Sequence, residues 1–253
     1  MKKKYIIVML ILILMFSCGK KKKRNNDVKS KATIEQKENN RIKELTEKAR
    51  KGDVEAQTQL GEAYLHGIDT KIDYKKAMEW SKKAAAKGSS RAMTNVGILY
   101  FEGFGVKKDY KQAYKLFSDG VDGGDMKALK YLGTMYEKGL GVEKSFDSAA
   151  FYYEMADSSG DLTVRYNLGK IYEMAGDYAK AVELYQKTDG RMDQVTAPMY
   201  EALGDLYVNG KGVRKNLNEA SEWYEKASKS GSQQAKNLSL IHISEPTRQA
   251  EIS

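Results

Sequence analysis

The chain has 253 residues, 41% hydrophobic and 30% charged, with two prolines, two histidines and one cysteine. One cysteine excludes a disulfide framework or a cysteine-clustered zinc site, and two histidines leave little for a histidine-based metal or acid–base centre. The net charge of +9 is concentrated in Lys2 to Lys4 and Lys20 to Arg24. The remainder is close to neutral, so no nucleic-acid partner is expected.

Residues 1–17 read as an export signal, with three lysines followed by an apolar run from Tyr5 to Phe16. A helix of that run spans only ~18 Å, short of a ~30 Å hydrocarbon core. Ser17-Cys18-Gly19 closes the segment and resembles a bacterial lipobox, although Met15 and Phe16 depart from the preferred residues. Cys18 is therefore the expected lipid attachment site, holding the protein to the membrane by a diacylglyceryl group. Gly19 after the cysteine resembles the outer-membrane sorting pattern, so the expected location is the bacterial envelope, at the outer membrane. Residues 18–32 are polar and lysine-rich with no apolar period, which predicts a flexible tether. The lysine run also suits anionic lipid headgroups. Residues 33–55 are expected to form an N-terminal capping helix.

From Ala56 to Asn237 one unit recurs. Leu-Gly or Val-Gly pairs place glycines at Gly61, Gly97, Gly133, Gly169 and Gly204, separated by 36, 36, 36 and 35 residues. A tyrosine follows each by three, at Tyr64, Tyr100, Tyr136, Tyr172 and Tyr207, and a second landmark recurs at Ala77, Ala113, Ala149, Ala181 and Ala220. Ala56, Leu60 and Tyr64 share one face of a first helix, A, and Gly61 lets a neighbouring helix come close. Tyr74, Ala77, Trp80, Ser81 and Ala84 mark a second helix, B, which stops at Gly88 and, in later units, at Gly124, Gly160 and Gly231. The predicted fold is all-α, a right-handed solenoid of helix-turn-helix repeats of about 36 residues, five units plus the start of a sixth. The fourth unit runs from Met174 through Asp177 directly into helix B and loses the longer loop.

Leu238 to Arg248 breaks the pattern and resembles the translation of a transposase-based sequencing adaptor. Residues 238–253 are therefore set apart from the fold.

The Ala-x-x-x-Leu-Gly-x-x-Tyr helix, the Gly-x-Gly-Val loop and the aromatic-x-x-Ala helix resemble the Sel1-like repeat family, a relative of the tetratricopeptide repeat. That resemblance implies a superhelix whose concave side binds a protein or peptide segment. By analogy, the concave residues are Thr58, Glu62, Thr94, Lys130, Thr134, Tyr166, Lys170, Glu201 and Asp205. They differ from unit to unit, as expected both of a surface that reads a specific partner and of a plain solvent face.

Gly103-Phe-Gly105-Val, Gly139-Leu-Gly141-Val and Gly210-Lys-Gly212-Val invite comparison with phosphate loops, which follow a strand and open a helix. Here they recur between two helices, so a structural role is expected: glycines at positive φ, a valine filling the gap, and solvated residues after it. His66 at the end of a helix A is expected on the surface. Most of the 17 tyrosines fall on core positions, with Tyr131 and Tyr166 as candidates for exposure. Some cysteine-rich relatives have been described as weak β-lactamases, but the only Ser-x-x-Lys, Ser17 to Lys20, is severed by signal cleavage. The expectation is a monomeric, lipid-anchored envelope adaptor with no cofactor, metal or catalytic residue. The alternatives are a weak β-lactamase-like envelope hydrolase and a secreted effector acting on host proteins.

Overall fold

The computed structural model of the chain describes residues 40–158, 160–188 and 190–238. The signal segment, Cys18, the tether, residues 33–39 of the expected capping helix and the tail beyond residue 238 lie outside the described residues. Every regular element among the described residues is helical. They divide into two compact units, one ending at Lys108 and the other beginning at Asp109.

The N-terminal unit contains α1 (residues 40–50), α2 (Val54–His66), α3 (Tyr74–Ala85) and α4 (Ser90–Glu102). Its core joins Ala49 of α1, Ala56 and Leu60 of α2 and Trp80 of α3, with Ile42, Leu45 and Tyr64 packed around them. Thus α1 covers the apolar face that the first repeat could not bury alone.

The second unit contains α5 (Tyr110–Asp122), α6 (Ala128–Lys138), α7 (Phe146–Asp157), α8 (Leu162–Ala175), α9 (Tyr178–Gln186), α10 (Ala197–Asn209), α11 (Leu217–Lys229) and α12 (residues 233–238). One cluster packs Leu129 of α6 and Ala149, Tyr153 and Ala156 of α7 against Val164, Leu168 and Ile171 of α8. Another runs from Leu162 through α9, α10 and α11 to Ala235 of α12, with Leu238 against it. The alanine landmarks Ala77, Ala113, Ala149, Ala181 and Ala220 are all buried.

Two kinds of glycine set the geometry. The first lies within helix A and takes a helix B side chain where its own would be. A Cβ at Gly133 would stand 2.6 Å from the Tyr153 ring, one at Gly169 2.3 Å from Tyr185, one at Gly204 2.4 Å from Tyr224 and one at Gly61 2.3 Å from the Ser81 hydroxyl. The second lies in the loop between helices A and B. Gly105, Gly141 and Gly212 have φ of +69°, +73° and +71°. Each lies against the first residue of an earlier helix B: a Cβ would come within 2.9 Å of Tyr74, 2.7 Å of Tyr110 and 2.5 Å of Tyr178 respectively. These loops therefore lock one repeat to the repeat before it. Val106, Val142 and Val213 are half-buried behind the glycines, and the charged residues that follow are exposed.

Helix starts follow the repeat as well. Asp53, Ser89 and Asp161 cap α2, α4 and α8 with side-chain oxygens that accept backbone N–H groups. Asp73, Asp109, Ser145, Asp177 and Asn216 do the same for the B helices. In the fourth repeat α8 ends at Gly176 and α9 begins on the adjacent Asp177, so the longer loop is absent there.

Candidate interaction surface

The expected partner-facing residues occupy two positions of helix A, three before and one after its internal glycine. The structure treats the two positions differently.

In the N-terminal unit Thr58 is 0% and Thr94 1% exposed. Thr58 Oγ1 donates to the Val54 carbonyl at 2.9 Å and lies 2.8 Å from Ser89 Oγ, while Thr94 Oγ1 donates to the Ser90 carbonyl at 3.3 Å. Neither presents its side chain to a partner. The Thr58 hydroxyl turns into the joint with α4 rather than outward, and the Thr94 hydroxyl turns back onto its own helix. Glu62, half-buried, accepts from Arg91 Nη2 at 2.7 Å, and Arg91 Nη1 donates to Glu55 at 3.0 Å. Those three charges form one network linking α2 to α4.

In the second unit Lys130 Nζ donates to Asp161 Oδ2 at 3.1 Å. Burial raises the Asp161 pKa, but Lys130 and the capped Thr163 amide outweigh it and hold the carboxyl below its ordinary range. Glu201 accepts from the Ser232 hydroxyl, which in turn accepts from the Ala235 amide at 3.0 Å. Thr58–Ser89, Lys130–Asp161 and Glu201–Ser232 are the same contact in three repeats. In each, the residue three before the glycine fixes the N-cap of the next helix A, 31 residues on. The recurring Ser, Asp and Ser at positions 89, 161 and 232 were the available signal.

The position after the glycine is more open. Lys170 and Asp205 are exposed. Lys170 Nζ lies 5.9 Å from the centroid of the Tyr166 ring. Asp205 accepts from Tyr224 Oη at 2.6 Å. Thr134 Oγ1 donates to the Lys130 carbonyl at 2.8 Å and lies 3.0 Å from Tyr153 Oη, so it backs the core tyrosine. Tyr166 is half-buried, its ring 6.0 Å from Tyr185, and burial followed by the Glu173 and Glu201 carboxylates raises its pKa. Tyr131 is also half-buried, stacked on Phe117 at 4.8 Å, so both irregular tyrosines have a packing role.

The core tyrosines reach this surface from below. Tyr153 Oη donates to Glu137 at 2.7 Å and Tyr185 Oη to Glu173 at 2.5 Å. Burial first, and then those carboxylates, raises the pKa of both phenols. Two features escaped the sequence reading. Arg165 is buried at 8% exposure, donating to Asp157 at 2.8 Å and to the Lys187 carbonyl. Tyr200 ties the irregular segment before α10, with Oη 2.6 Å from the Arg191 carbonyl and 2.8 Å from Thr188 Oγ1. His66 is exposed on the last turn of α2. Among the described residues no three His, Cys, Asp or Glu side chains converge as a metal cluster, and no helix is long and apolar enough to cross a membrane.

The repeat boundaries coincide with a known pattern. The Sel1 repeat matches residues 54–89, 90–125, 127–161, 164–188 and 197–232. The structure is similar to c5321, a protective antigen present in uropathogenic Escherichia coli strains displaying an SLR fold, with 27% identity and a TM-score of 0.71. That match covers 78% of this chain but 43% of the antigen, so the chain spans less than half the antigen's length. It is also similar to a Sel1 repeat protein from Oxalobacter formigenes, with 25% identity and a TM-score of 0.63 over 74% of this chain and 78% of the other. A Sel1 repeat protein from Klebsiella pneumoniae subsp. pneumoniae shares the fold at 21% identity and a TM-score of 0.51, covering 79% of this chain and 98% of that one. Among curated proteins no relative matches the sequence. With five repeats spanning most of the described residues, the chain belongs to the Sel1 repeat family, whose members are generally non-enzymatic scaffolds suited to protein–protein interaction.

Proposed function

We propose that the protein is a lipid-anchored adaptor of the bacterial envelope that holds a protein or peptide segment against the helix A face of its repeats. Cys18 is the anchor and the outer membrane the location, on the strength of the apolar segment and the residues around the cysteine. The observation that carries the binding reading is the contrast between the two helix A positions in the second unit. Lys130 and Glu201, before the glycine, join repeats, whereas the position after it leaves Lys170 exposed beside the Tyr166 ring and Asp205 exposed over Tyr224. A cation over an aromatic ring in one repeat and an exposed carboxylate in the next suit a partner of mixed charge. In the N-terminal unit the Glu55–Arg91–Glu62 network offers a second charged contact.

The test is crosslinking of the full chain in its native envelope, followed by identification of what co-purifies. One protein recovered in stoichiometric amount with the parent chain, and lost with Lys170→Glu at an unchanged melting temperature, establishes the adaptor. Lys130→Glu is not an equivalent probe, because it sets a carboxylate against Asp161 and weakens the joint between repeats. Recovery unchanged by Lys170→Glu removes this surface from the proposal. A mature chain whose Cys18 carries no lipid by mass spectrometry removes the anchor.

A further inference from the structure

We infer that the loop edge of the N-terminal unit is a membrane-contact face that rests on an anionic lipid bilayer. The inference deepens the anchoring proposed above and rests on it for the identity of the surface.

Two loops form this edge, residues 67–73 between α2 and α3 and residues 103–108 after α4. They meet at Tyr74: the Phe104 ring stacks on it at 4.6 Å, and Gly105 lies against its Cβ. Between them they present Ile68, Ile72 and Phe104, which are 48%, 54% and 36% exposed. Water-exposed isoleucine and phenylalanine at loop tips are costly unless something apolar covers them.

The unpaired charge within these two loops has one sign. Lys71, Lys75, Lys107 and Lys108 are exposed, and none is in an ion pair among the described residues. The two carboxylates of the first loop are already neutralised, Asp69 by Arg41 at 2.6 Å and Asp73 by Lys76 at 3.1 Å. Free cations beside apolar tips, with the acids of the loops themselves paired, match an interface of anionic headgroups over acyl chains. The corresponding loops of the second unit, residues 139–145 and 210–216, carry Lys144, Lys211, Arg214 and Lys215 but no exposed large apolar side chain.

The direction of the chain supplies the occupant. The Arg41–Asp69 ion pair sets the first turn of α1 against the first of these loops. The first described helix therefore begins at this edge, C-terminal in sequence to the basic segment that follows Cys18. Asp69 also holds φ of +56°, at the place where later loops have glycine, so the residue that receives the incoming chain is the one that shapes the loop. The N-terminal unit meets the membrane with Ile68, Ile72 and Phe104 dipping between headgroups, and this leaves the helix A face of that unit for a protein partner.

The experiment uses the full lipidated chain on vesicles of phosphatidylcholine with or without phosphatidylglycerol, read by amide hydrogen exchange. Exchange at residues 67–73 and 103–108 is expected to slow on the anionic vesicles alone, with residues 139–145 and 210–216 unchanged as the internal control. Each lysine beside anionic lipid strengthens association about fivefold, so Lys71→Glu with Lys107→Glu removes the protection by more than about tenfold. Ile72→Glu removes it too, at an unchanged melting temperature. A chain that floats with the vesicles yet shows no slowing at these loops overturns the inference and leaves the anchor standing. Equal slowing in the control loops overturns it as well. Conversely, Ile72-dependent protection of a Cys18→Ala chain on anionic vesicles supports the face independently of the anchor.

Discussion

In the third repeat the chain uses residues 139–145 to pass from α6 to α7; in the fourth it passes from α8 to α9 through Gly176 and Asp177 alone. The contact between helices survives this difference. Tyr153 fills the space beside Gly133 and Tyr185 the space beside Gly169, and each phenol ends on a carboxylate four residues beyond its glycine. What the short connection loses is the joint to the preceding repeat. Gly141 seats the third repeat on Tyr110, and the fourth has no loop glycine to seat on Phe146. Arg165 stands in for it. It replaces the buried Leu129 of the third repeat, and its guanidinium binds Asp157 at the end of α7 and the Lys187 carbonyl at the end of α9. Helix pairing and repeat stacking are therefore separable, the first set by glycine and tyrosine, the second by a loop or by a buried cation.

The change that would do most to break the comparison is Arg165→Leu, which gives the fourth repeat the residue of the third. It leaves Asp157 and the Lys187 carbonyl without their donor, at a cost of about 2–4 kcal/mol. Urea unfolding should show this as a lowered midpoint, and Asp157→Asn in the same chain should recover part of it. An unchanged midpoint would mean that α9 is held by its apolar face alone.

Gly133→Ala and Gly169→Ala come next. Alanine in place of glycine within a helix normally stabilises by up to ~1 kcal/mol. Here the added methyl meets a buried ring, and the expected outcome is a loss of about 1–3 kcal/mol at either site. Gly169→Ala should be the worse, because its Cβ would stand 2.3 Å from the ring rather than 2.6 Å. Stabilisation by either variant would show that the rings can move aside. Removing the hydroxyls alone, by Tyr153→Phe and Tyr185→Phe, should lower stability by about 1 kcal/mol each. Parallel losses would confirm that the two repeats share this bond despite their different connections.

Much of this was legible before any coordinates, because the repeat writes its core in letters that recur at a fixed distance. The glycines, the buried alanines and the missing loop after Met174 are all read that way. The joints between repeats were not. Thr58, Lys130 and Glu201 look like variable surface because they differ in chemistry, yet each meets an N-cap 31 residues later, a distance that matches no helical period. Arg165 was missed for a related reason: it breaks an apolar pattern, and its partners lie at helix ends that only the packed structure brings together. Periodicity identifies what every repeat shares, whereas the devices that join one particular repeat to the next are exceptions to it.

The smallest expected effect separates the two repeats by pH. Tyr136 and Tyr172 occupy the same position of helix A, and both are pushed up to about 12. The causes differ. For Tyr136 the leading one is the hydrogen bond with the Tyr114 hydroxyl, 3.0 Å away; for Tyr172 it is burial, followed by the bond to Glu154. In both, the folded protein favours the neutral phenol, so the stability each contributes is complete below the ordinary value of 10.0 and is lost as pH rises from there towards 12. Ultraviolet titration should show these two ionising later than exposed tyrosines, with unfolding advancing over the same range. Glu154→Gln removes the hydrogen bond and the charge of Glu154 from Tyr172, leaving burial and Asp177, and removes none of the causes acting on Tyr136. One late phenol should then shift towards 10.0 while the other stays in place. If both shifted together, the carboxylate would be acting through the packing of α7 against both neighbours, since Tyr152 of that helix stacks on Tyr136 at 5.5 Å. The two repeats would then be coupled through the helix they share.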